Sequence, residues 1–153
     1  MKILIVYYSR TETTKKIAEK LQTLLKSDIQ EIIDLKNRAG VVVFVTGSMD
    51  ALFGKTTQIK PEKIAVNKYD LVVVGTPVWA GTMVPAIRTV LTNNKFKNVA
   101  FFCTCSGSVS KTFTEMEKVT GSKPKATLVL ITKDVAKGKI ESDLKQFVKN
   151  LTK

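Results

Sequence analysis

A short polar segment near the start of the chain carries residue types that bind phosphate. It follows an apolar run at residues 3–8, precedes a helical pattern, and contains four hydroxyl side chains and one arginine: Ser9, Arg10, Thr11, Glu12, Thr13 and Thr14. Where a buried strand leads into a helix, free backbone N–H groups and the positive end of the helix dipole attract anions. The segment therefore predicts a site for a phosphate-bearing small molecule.

A second segment carries the one tryptophan of the chain. It follows the apolar run at residues 71–75, and mostly small residues surround the indole: Thr76, Pro77, Val78, Trp79, Ala80 and Gly81. On a turn, the indole offers a flat platform for a planar ring, and such stacking contributes about 0.5–1.5 kcal/mol beyond area burial. The alternative is that Trp79 folds back and caps the hydrophobic core.

A third segment overlaps the end of the apolar run at residues 99–103 and is rich in small polar residues. It comprises Cys103, Thr104, Cys105, Ser106, Gly107 and Ser108. These residues offer hydroxyls and backbone amides, although a plain turn has the same composition. If the strands before the three segments are neighbours in a parallel sheet, in the order 2-1-3-4-5, the segments meet at one edge and form one site.

The chain contains no histidine, which excludes Ser-His and Cys-His nucleophile pairs and histidine metal ligands. Cys103 and Cys105 share one face of a strand, but two thiols without other soft ligands do not form a zinc site. We expect both to pack as small apolar side chains. We predict neither a metal site nor a catalytic residue.

The chain has 153 residues, with 25 lysines and arginines against 13 acidic residues, a net charge of +12. This balance suits nucleic acid, an acidic protein or a membrane surface. The lysines are scattered and no aromatic-basic motif accompanies them, so we expect a basic surface and no nucleic-acid binding.

No apolar stretch approaches the roughly 20 residues that span a bilayer, and the start lacks a signal-peptide cleavage site. We expect a cytoplasmic protein.

Apolar runs alternate with helical patterns along the chain. Strands are predicted at residues 3–8, 29–35, 71–75, 99–103 and 126–132, and helices around residues 17–25, 85–91, 109–119 and 140–151. This alternation favours parallel strands joined by right-handed crossovers. We predict a single α/β domain over residues 1–153, a three-layer sandwich with a five-stranded parallel sheet.

Residues 40–56 do not fit this scheme. Their apolar start imitates a strand, and residues 54–56 imitate the end of a P-loop. That loop needs four residues between its glycines, whereas six separate Gly47 from Gly54. The spacing argues against a P-loop, because the amides of such a loop enclose a phosphate only when the loop has the right number of residues.

The order and spacing of these segments resemble the flavodoxin family over essentially the whole chain. Residues 9–14 resemble the family's phosphate loop, which reads Ser/Thr, any residue, Thr, Gly, any residue, Ser/Thr. Residues 75–83, followed by residues 85–88, resemble the ring-binding loop and helix start of its small prokaryotic members.

The resemblance implies a flavodoxin-like fold and FMN as the cofactor. The phosphate would be bound through hydroxyls and amides of Ser9, Thr11, Thr13 and Thr14. Residues 76–81 would line the isoalloxazine with Trp79 stacking on it, and residues 103–108 would lie on its other side. Because the flavin carries the redox chemistry, no catalytic acid or base is needed.

Three features depart from the family pattern. Glu12 stands where the family has glycine; pointing inward it would repel a phosphate, so we expect it to face solvent, with Arg10 offsetting its charge. The third segment lacks the aromatic residue that often covers the far side of the flavin, which leaves one ring face open. The charge of +12 contrasts with many acidic flavodoxins and predicts redox partners with acidic docking surfaces.

By position, residues 40–54 correspond to the connection between the second and third strands, near the flavin edge in this family. We predict a loop and a short helix there and no sheet strand, despite the valines. The exposed apolar side chains form a docking patch in one interpretation. In the other they cover the core beside the first helix.

The leading hypothesis is a one-electron carrier with bound FMN, acting as a monomer or weak dimer. The alternative is an FMN-dependent NAD(P)H:quinone or protoporphyrinogen-type oxidoreductase, which an open flavin face would suit. A phospho-acceptor receiver domain shares the topology but needs an acidic pair where this chain has Tyr8 and Ser9. A nucleic-acid binder would show steeply salt-dependent retention on DNA.

Overall fold

The computed structural model of the chain describes residues 1–38 and 40–153, apart from the side chains of residues 43 and 44. A 3-10 turn spans Val66–Lys68. The other elements, in chain order, are β1 Ile3–Tyr7, α1 Thr13–Leu25, β2 Asp28–Glu31, β3 Ile33–Asp34, α2 Val41–Leu52, β4 Ile59–Lys60, β5 Leu71–Trp79, β6 Thr82–Met83, α3 Pro85–Asn93, β7 Val99–Cys105, α4 Thr112–Thr120, β8 Thr127–Ile131, α5 Thr132–Ala136 and α6 Glu141–Leu151.

Five strands form a central parallel sheet in the order β2-β1-β5-β7-β8, which confirms the predicted architecture. A sixth strand, β6, pairs antiparallel with the end of β5. The predicted second strand at residues 29–35 was too long. β2 ends at Glu31, and β3 turns away to pair antiparallel with β4 in a separate two-stranded sheet.

The two faces of the sheet bury separate apolar clusters, because successive side chains of a strand point to opposite faces. One face packs on α3 and α4 through side chains that include Val72, Val74, Ile87, Val90 and Met116. The other packs on α1 and α6 through side chains that include Val73, Phe102, Ile17, Leu21 and Leu144. Burial on both faces explains why the central strands are almost continuous apolar runs.

Residues 41–52 form the helix α2, which confirms that the valine run is not a sheet strand, although the helix is longer than predicted. It packs on β5, β6 and α3. Six large apolar side chains of this region are exposed: Val41, Val42, Val45, Met49, Leu52 and Phe53. For these described side chains, the interpretation that they cover the core is therefore wrong. No helix of the described residues is long and apolar enough to cross a membrane.

Gly75 makes room for a large side chain of the neighbouring central strand. It lies opposite Phe102 in the β5–β7 register, and a Cβ atom at Gly75 would overlap the fully buried ring of Phe102. The same register places Pro77 opposite Thr104. The polar segments that follow these strands therefore start at the same level of the sheet.

Replacement Gly75→Ala should lower the free energy of unfolding by about 3 kcal/mol, because the added methyl group must displace a ring in a close-packed layer. Chemical denaturation measures this loss. Gly107→Ala is the matched control, since no described atom lies within 4 Å of its Cβ position, and its effect should stay within about 0.5 kcal/mol.

The double variant Gly75→Ala/Phe102→Leu should be less destabilised than the sum of its single variants, since the smaller side chain leaves room for the methyl group. A Gly75→Ala variant as stable as the parent protein, or strictly additive effects, would contradict the proposed contact.

Candidate functional site

The three polar segments predicted to meet do so at the carboxyl edge of the sheet. They surround a cavity of about 550 Å³, within the range of small-molecule sites. Its walls come from the start of α1 and the residues before it, the β5–β6 hairpin, the end of β7 and the segment after it, one residue of α2 and the first residue of α5. The lining residues are Arg10, Thr11, Thr13, Thr14, Ser48, Pro77, Val78, Trp79, Ala80, Gly81, Thr104, Cys105, Ser106, Ser108, Ser110 and Thr132.

Most of the predicted residues line this cavity, and five are absent from its walls: Ser9, Glu12, Thr76, Cys103 and Gly107. Sequence reasoning missed three lining residues: Ser48, Ser110 and Thr132. Thr132 directly follows β8, so the rule that sites collect at the carboxyl ends of parallel strands could have found it. Ser48 gave no such signal, because it lies within a helix.

The segment before α1 is shaped as an anion site. Ser9 does not line the cavity, and its Oγ accepts a hydrogen bond from the amide of Lys15 at 3.2 Å. By helix geometry, the first amides of α1, at Thr13 and Thr14, have no partner within the helix. The hydroxyl of Thr14 is hydrogen-bonded to that of Thr104 at 2.8 Å, which ties this segment to the end of β7.

Glu12 takes the left-handed backbone conformation, with φ 65° and ψ −11°, which explains why glycine suits this position. Its side chain is 65% exposed and pairs with Lys15 at 3.4 Å. The prediction that Glu12 faces solvent is confirmed. Lys15 is a cation in contact with it, and sequence reasoning did not name this residue.

Trp79 ends a strand and does not lie on a loop, which corrects the prediction. β5 continues through Thr76 to Trp79, and Ala80 and Gly81 form a two-residue hairpin turn with φ of 49° and 75°. Positive φ at both positions is the type I′ pattern of tight hairpins. The buried hydroxyl of Thr76 braces this hairpin: it donates to Pro77 O at 2.8 Å and accepts from the amide of Val84 at 3.2 Å.

The indole of Trp79 is half-buried. Its ring meets Tyr8 edge to face, with centroids 5.7 Å apart and planes at 89°, and a Cβ atom on Gly47 would lie 3.1 Å from it. The indole also lines the cavity. The side chain therefore packs on the core, as one interpretation predicted, and also borders the cavity. Its role as a platform for a planar ring stays a prediction.

A buried arginine fixes the wall that α2 provides. Arg38 has 5% of its side chain exposed and donates to Asp34 at 2.9 Å and to Asp50 of α2 at 2.7 Å. Hydrogen bonds from Lys36 and Arg38 lower the pKa of Asp50 to about 2. The carboxylate therefore stays charged at neutral pH and holds the helix against Trp79.

The hairpin and the third segment are joined to each other. The amide of Lys111 donates to Gly81 O at 3.1 Å, and a Cβ atom on Gly81 would lie 2.8 Å from Ser110 Oγ. Ser110 has φ 46°, and its amide donates to Ser108 Oγ at 3.1 Å. These contacts hold the two walls at a fixed separation.

The two thiols are neutral in this setting. Burial raises the pKa of Cys103 to about 12, and burial also raises the pKa of Cys105, which borders the cavity but is itself buried. Protonated, buried thiols are poor nucleophiles, which fits the predicted packing role. Among the described residues, no group of three His, Cys, Asp or Glu side chains could hold a metal ion.

The arrangement is that of a binding site. At one end, hydroxyls and the N-terminus of α1 attract an anion. At the other end, Trp79 and the hairpin turn offer an apolar surface for a flat ring, and small polar groups border the remaining wall.

A family model described as Flavodoxin matches residues 2–151. A flavoprotein from Lactobacillus acidophilus NCFM, solved in complex with FMN, is 29% identical, with a TM-score of 0.72 over 89% of this chain and 97% of that one. A proposed flavoprotein from Bacteroides eggerthii DSM 20697 is 24% identical, with a TM-score of 0.69 over 93% of this chain and 97% of that one.

Oxidised flavodoxin 2 from Bacillus cereus is 17% identical, with a TM-score of 0.59 over 99% of this chain and 98% of that one. The last two similarities bear on the fold alone. No curated protein sequence matches this chain at a significant level.

Replacement Glu12→Gly should raise the free energy of unfolding by about 0.5–1 kcal/mol. Glycine removes a left-handed penalty of about 1–2 kcal/mol, and the greater freedom of the unfolded chain offsets part of this gain. Glu12→Gln keeps the backbone strain and removes only the exposed pair with Lys15, so it should change stability by less than about 0.5 kcal/mol. Denaturation of both variants measures the difference, and a destabilised Glu12→Gly variant would rule out the strain.

Proposed function

The chain belongs to the flavodoxin family, and from this membership we propose that it binds FMN and carries electrons between redox proteins. The observation that carries the proposal is the convergence, in one cavity, of the α1 N-terminus and the Trp79 hairpin. An anion site and a flat apolar surface in one cavity match a mononucleotide with a planar ring.

The phosphate end of the cavity fits FMN. The hydroxyls of Thr11 and Thr13, the first amides of α1 and the cation of Arg10 hold the phosphate. The carboxylate of Glu12 lies outside this set because it is exposed and paired with Lys15. The departure from the family's glycine therefore brings no negative charge into the cavity.

The ring end fits an isoalloxazine. Trp79 and the turn at Ala80 and Gly81 border one side, where the indole orients the ring and the backbone approaches its edge. Thr104, Cys105 and Ser106 border the other side. The neutral thiol of Cys105 adds no charge there, so the amides and hydroxyls of the walls set the local electrostatics.

FMN, when bound, supplies the redox chemistry itself. The chain orients it, excludes part of the surrounding water and fixes the dipoles that face it. The ties between Gly81 and Lys111 and between Thr14 and Thr104 keep these groups in place. No proton has to be moved by a side chain, which suits a chain without histidine.

The partners that we propose are redox proteins with acidic docking surfaces. A net charge of +12 attracts acidic proteins and repels basic ones. We place this exchange in the cytoplasm, which is supported by two cysteines that remain free thiols, Cys103 and Cys105, as in a reducing compartment.

A second candidate is an FMN-dependent oxidoreductase of the NAD(P)H:quinone or protoporphyrinogen type. The observation that favours it is the third segment, where Ser106, Gly107 and Ser108 are exposed and carry no aromatic side chain. A small polar wall leaves room for a second planar molecule beside the flavin. The carrier remains our first proposal because the family model that matches residues 2–151 is described as Flavodoxin.

Anaerobic stopped-flow mixing of the FMN-loaded protein with NADPH and a soluble quinone separates the two functions. A carrier should show flavin reduction slower than about 0.01 s⁻¹ and no repeated turnover, well below the roughly 1–10³ s⁻¹ of ordinary enzymes. Dithionite is the control, because it reduces any accessible flavin. If NADPH rapidly bleaches the flavin absorbance and many quinone turnovers follow, the protein is an oxidoreductase and the carrier proposal is wrong.

A further inference from the structure

The helix α2 presents an apolar surface to solvent. Five of its side chains and the residue that follows it are between 49% and 83% exposed: Val41, Val42, Val45, Met49, Leu52 and Phe53. Their spacing of three and four residues puts them along one side of the helix. We call these six residues the α2 stripe. Twelve helical residues extend about 18 Å, so the stripe is a continuous surface, unlike isolated exposed side chains.

The stripe faces solvent because the opposite side of α2 already packs on the rest of the protein. Gly47 packs against the indole of Trp79, and Ala51 is fully buried. Asp50 forms salt bridges with Arg38 and Lys36. Rolling the helix to bury the stripe would expose Asp50 and leave the buried cation of Arg38 without this partner, at a large cost.

The margin of the stripe beside Asp50 is positive. Lys36, Arg38 and Lys55 contact Asp50, and Arg38 also contacts Asp34. Three cations thus surround two carboxylates, and both lysines are more than half exposed. The stripe itself carries no charged side chain. A complementary surface is therefore apolar with carboxylates at its border.

The stripe is also continuous with the cavity. Ser48 lies on the same helix and lines the cavity wall, and Gly47 next to it touches Trp79. A protein seated on the stripe lies within one helix diameter, about 10 Å, of the ring end of the cavity.

Other occupants of the stripe fit less well. A second copy of the chain would bring two molecules of net charge +12 together, which opposes association. An anionic bilayer could bury the apolar side chains and attract the positive charge, but it presents no redox centre next to the cavity.

We propose that the α2 stripe and its lysine margin form the docking surface for an acidic electron-carrier protein, whose apolar contact area meets Val42, Val45 and Met49 while its carboxylates meet Lys36 and Lys55. This proposal rests on the proposed function, because it assumes that the cavity holds the flavin that exchanges electrons with the partner.

The direct test places an environment-sensitive dye on the stripe of the FMN-loaded protein through Val45→Cys. The native thiols of Cys103 and Cys105 are buried, so the dye attaches to the introduced one. The matched control is Leu24→Cys, an exposed position in the last turn of α1, at the opposite edge of the sheet. The probe partner is an acidic plant-type [2Fe–2S] ferredoxin, and its addition should shift the emission of the dye at position 45 to shorter wavelength and leave that at position 24 unchanged.

A kinetic arm follows the single electron that leaves the reduced ferredoxin cluster and enters the bound flavin. The variant Val42→Gln/Val45→Gln/Met49→Gln should lower the second-order rate constant at least tenfold, whereas Leu24→Gln leaves it unchanged. Reduction by methyl viologen radical, which needs no docking, should be equal in all variants. Glutamine suits an exposed helix position, so the variant retains its fold.

Each result decides the proposal. A dye at position 45 that does not respond to ferredoxin, or equal rate constants for the two glutamine variants, would overturn it. A shift seen only with phosphatidylglycerol vesicles would mean that the stripe binds a membrane, and this would overturn the proposal. A shift that depends only on the protein's own concentration would mean that the stripe binds a second copy of the chain, and this would also overturn the proposal. Absence of bound flavin in the visible spectrum before ferredoxin is added is instead a failure of the proposed function.

Discussion

The register of β5 and β7, in which Gly75 leaves room for the ring of Phe102, is the constraint on which the cavity depends. These two strands lead into the ring-facing walls of the cavity. With Pro77 opposite Thr104, the hairpin and the third segment leave the sheet at the same level and can be tied by Lys111 and Gly81. A one-residue slip would move every side chain of the strand to the other face of the sheet.

The sequence alone predicted the parallel strands and the three polar segments that follow them, because apolar periodicity and polar turns are local signals. The order of the strands rested on the rule for open α/β sheets and on the resemblance to the flavodoxin family. It did not predict that β5 runs on to Trp79. Ala80 is a rare residue in a type I′ turn, which usually shows Asn or Gly, so the hairpin gave no local signal. The left-handed φ of Glu12 was hidden in the same way, since only the family's glycine hinted at it.

The orientation of α2 also could not be predicted from the residues of the helix themselves. Its valine run does not say which side faces the core. The answer comes from Arg38, which joins Asp34 in β3 to Asp50 in the helix, a contact between elements that pair only in the folded chain. One buried cation thereby fixes two surfaces: the inner one completes the cavity through Ser48, and the outer one leaves the α2 stripe exposed.

The central claim is that this cavity is the FMN site, and the chain contains its own reporter, because Trp79 is its one tryptophan. The most direct measurement is a titration of the flavin-free protein with FMN that follows tryptophan emission and the visible flavin spectrum together. The account predicts that both signals saturate at one FMN per chain, with the emission of Trp79 strongly quenched. Flavin binding that leaves this emission unchanged, or no binding at micromolar FMN, would contradict it.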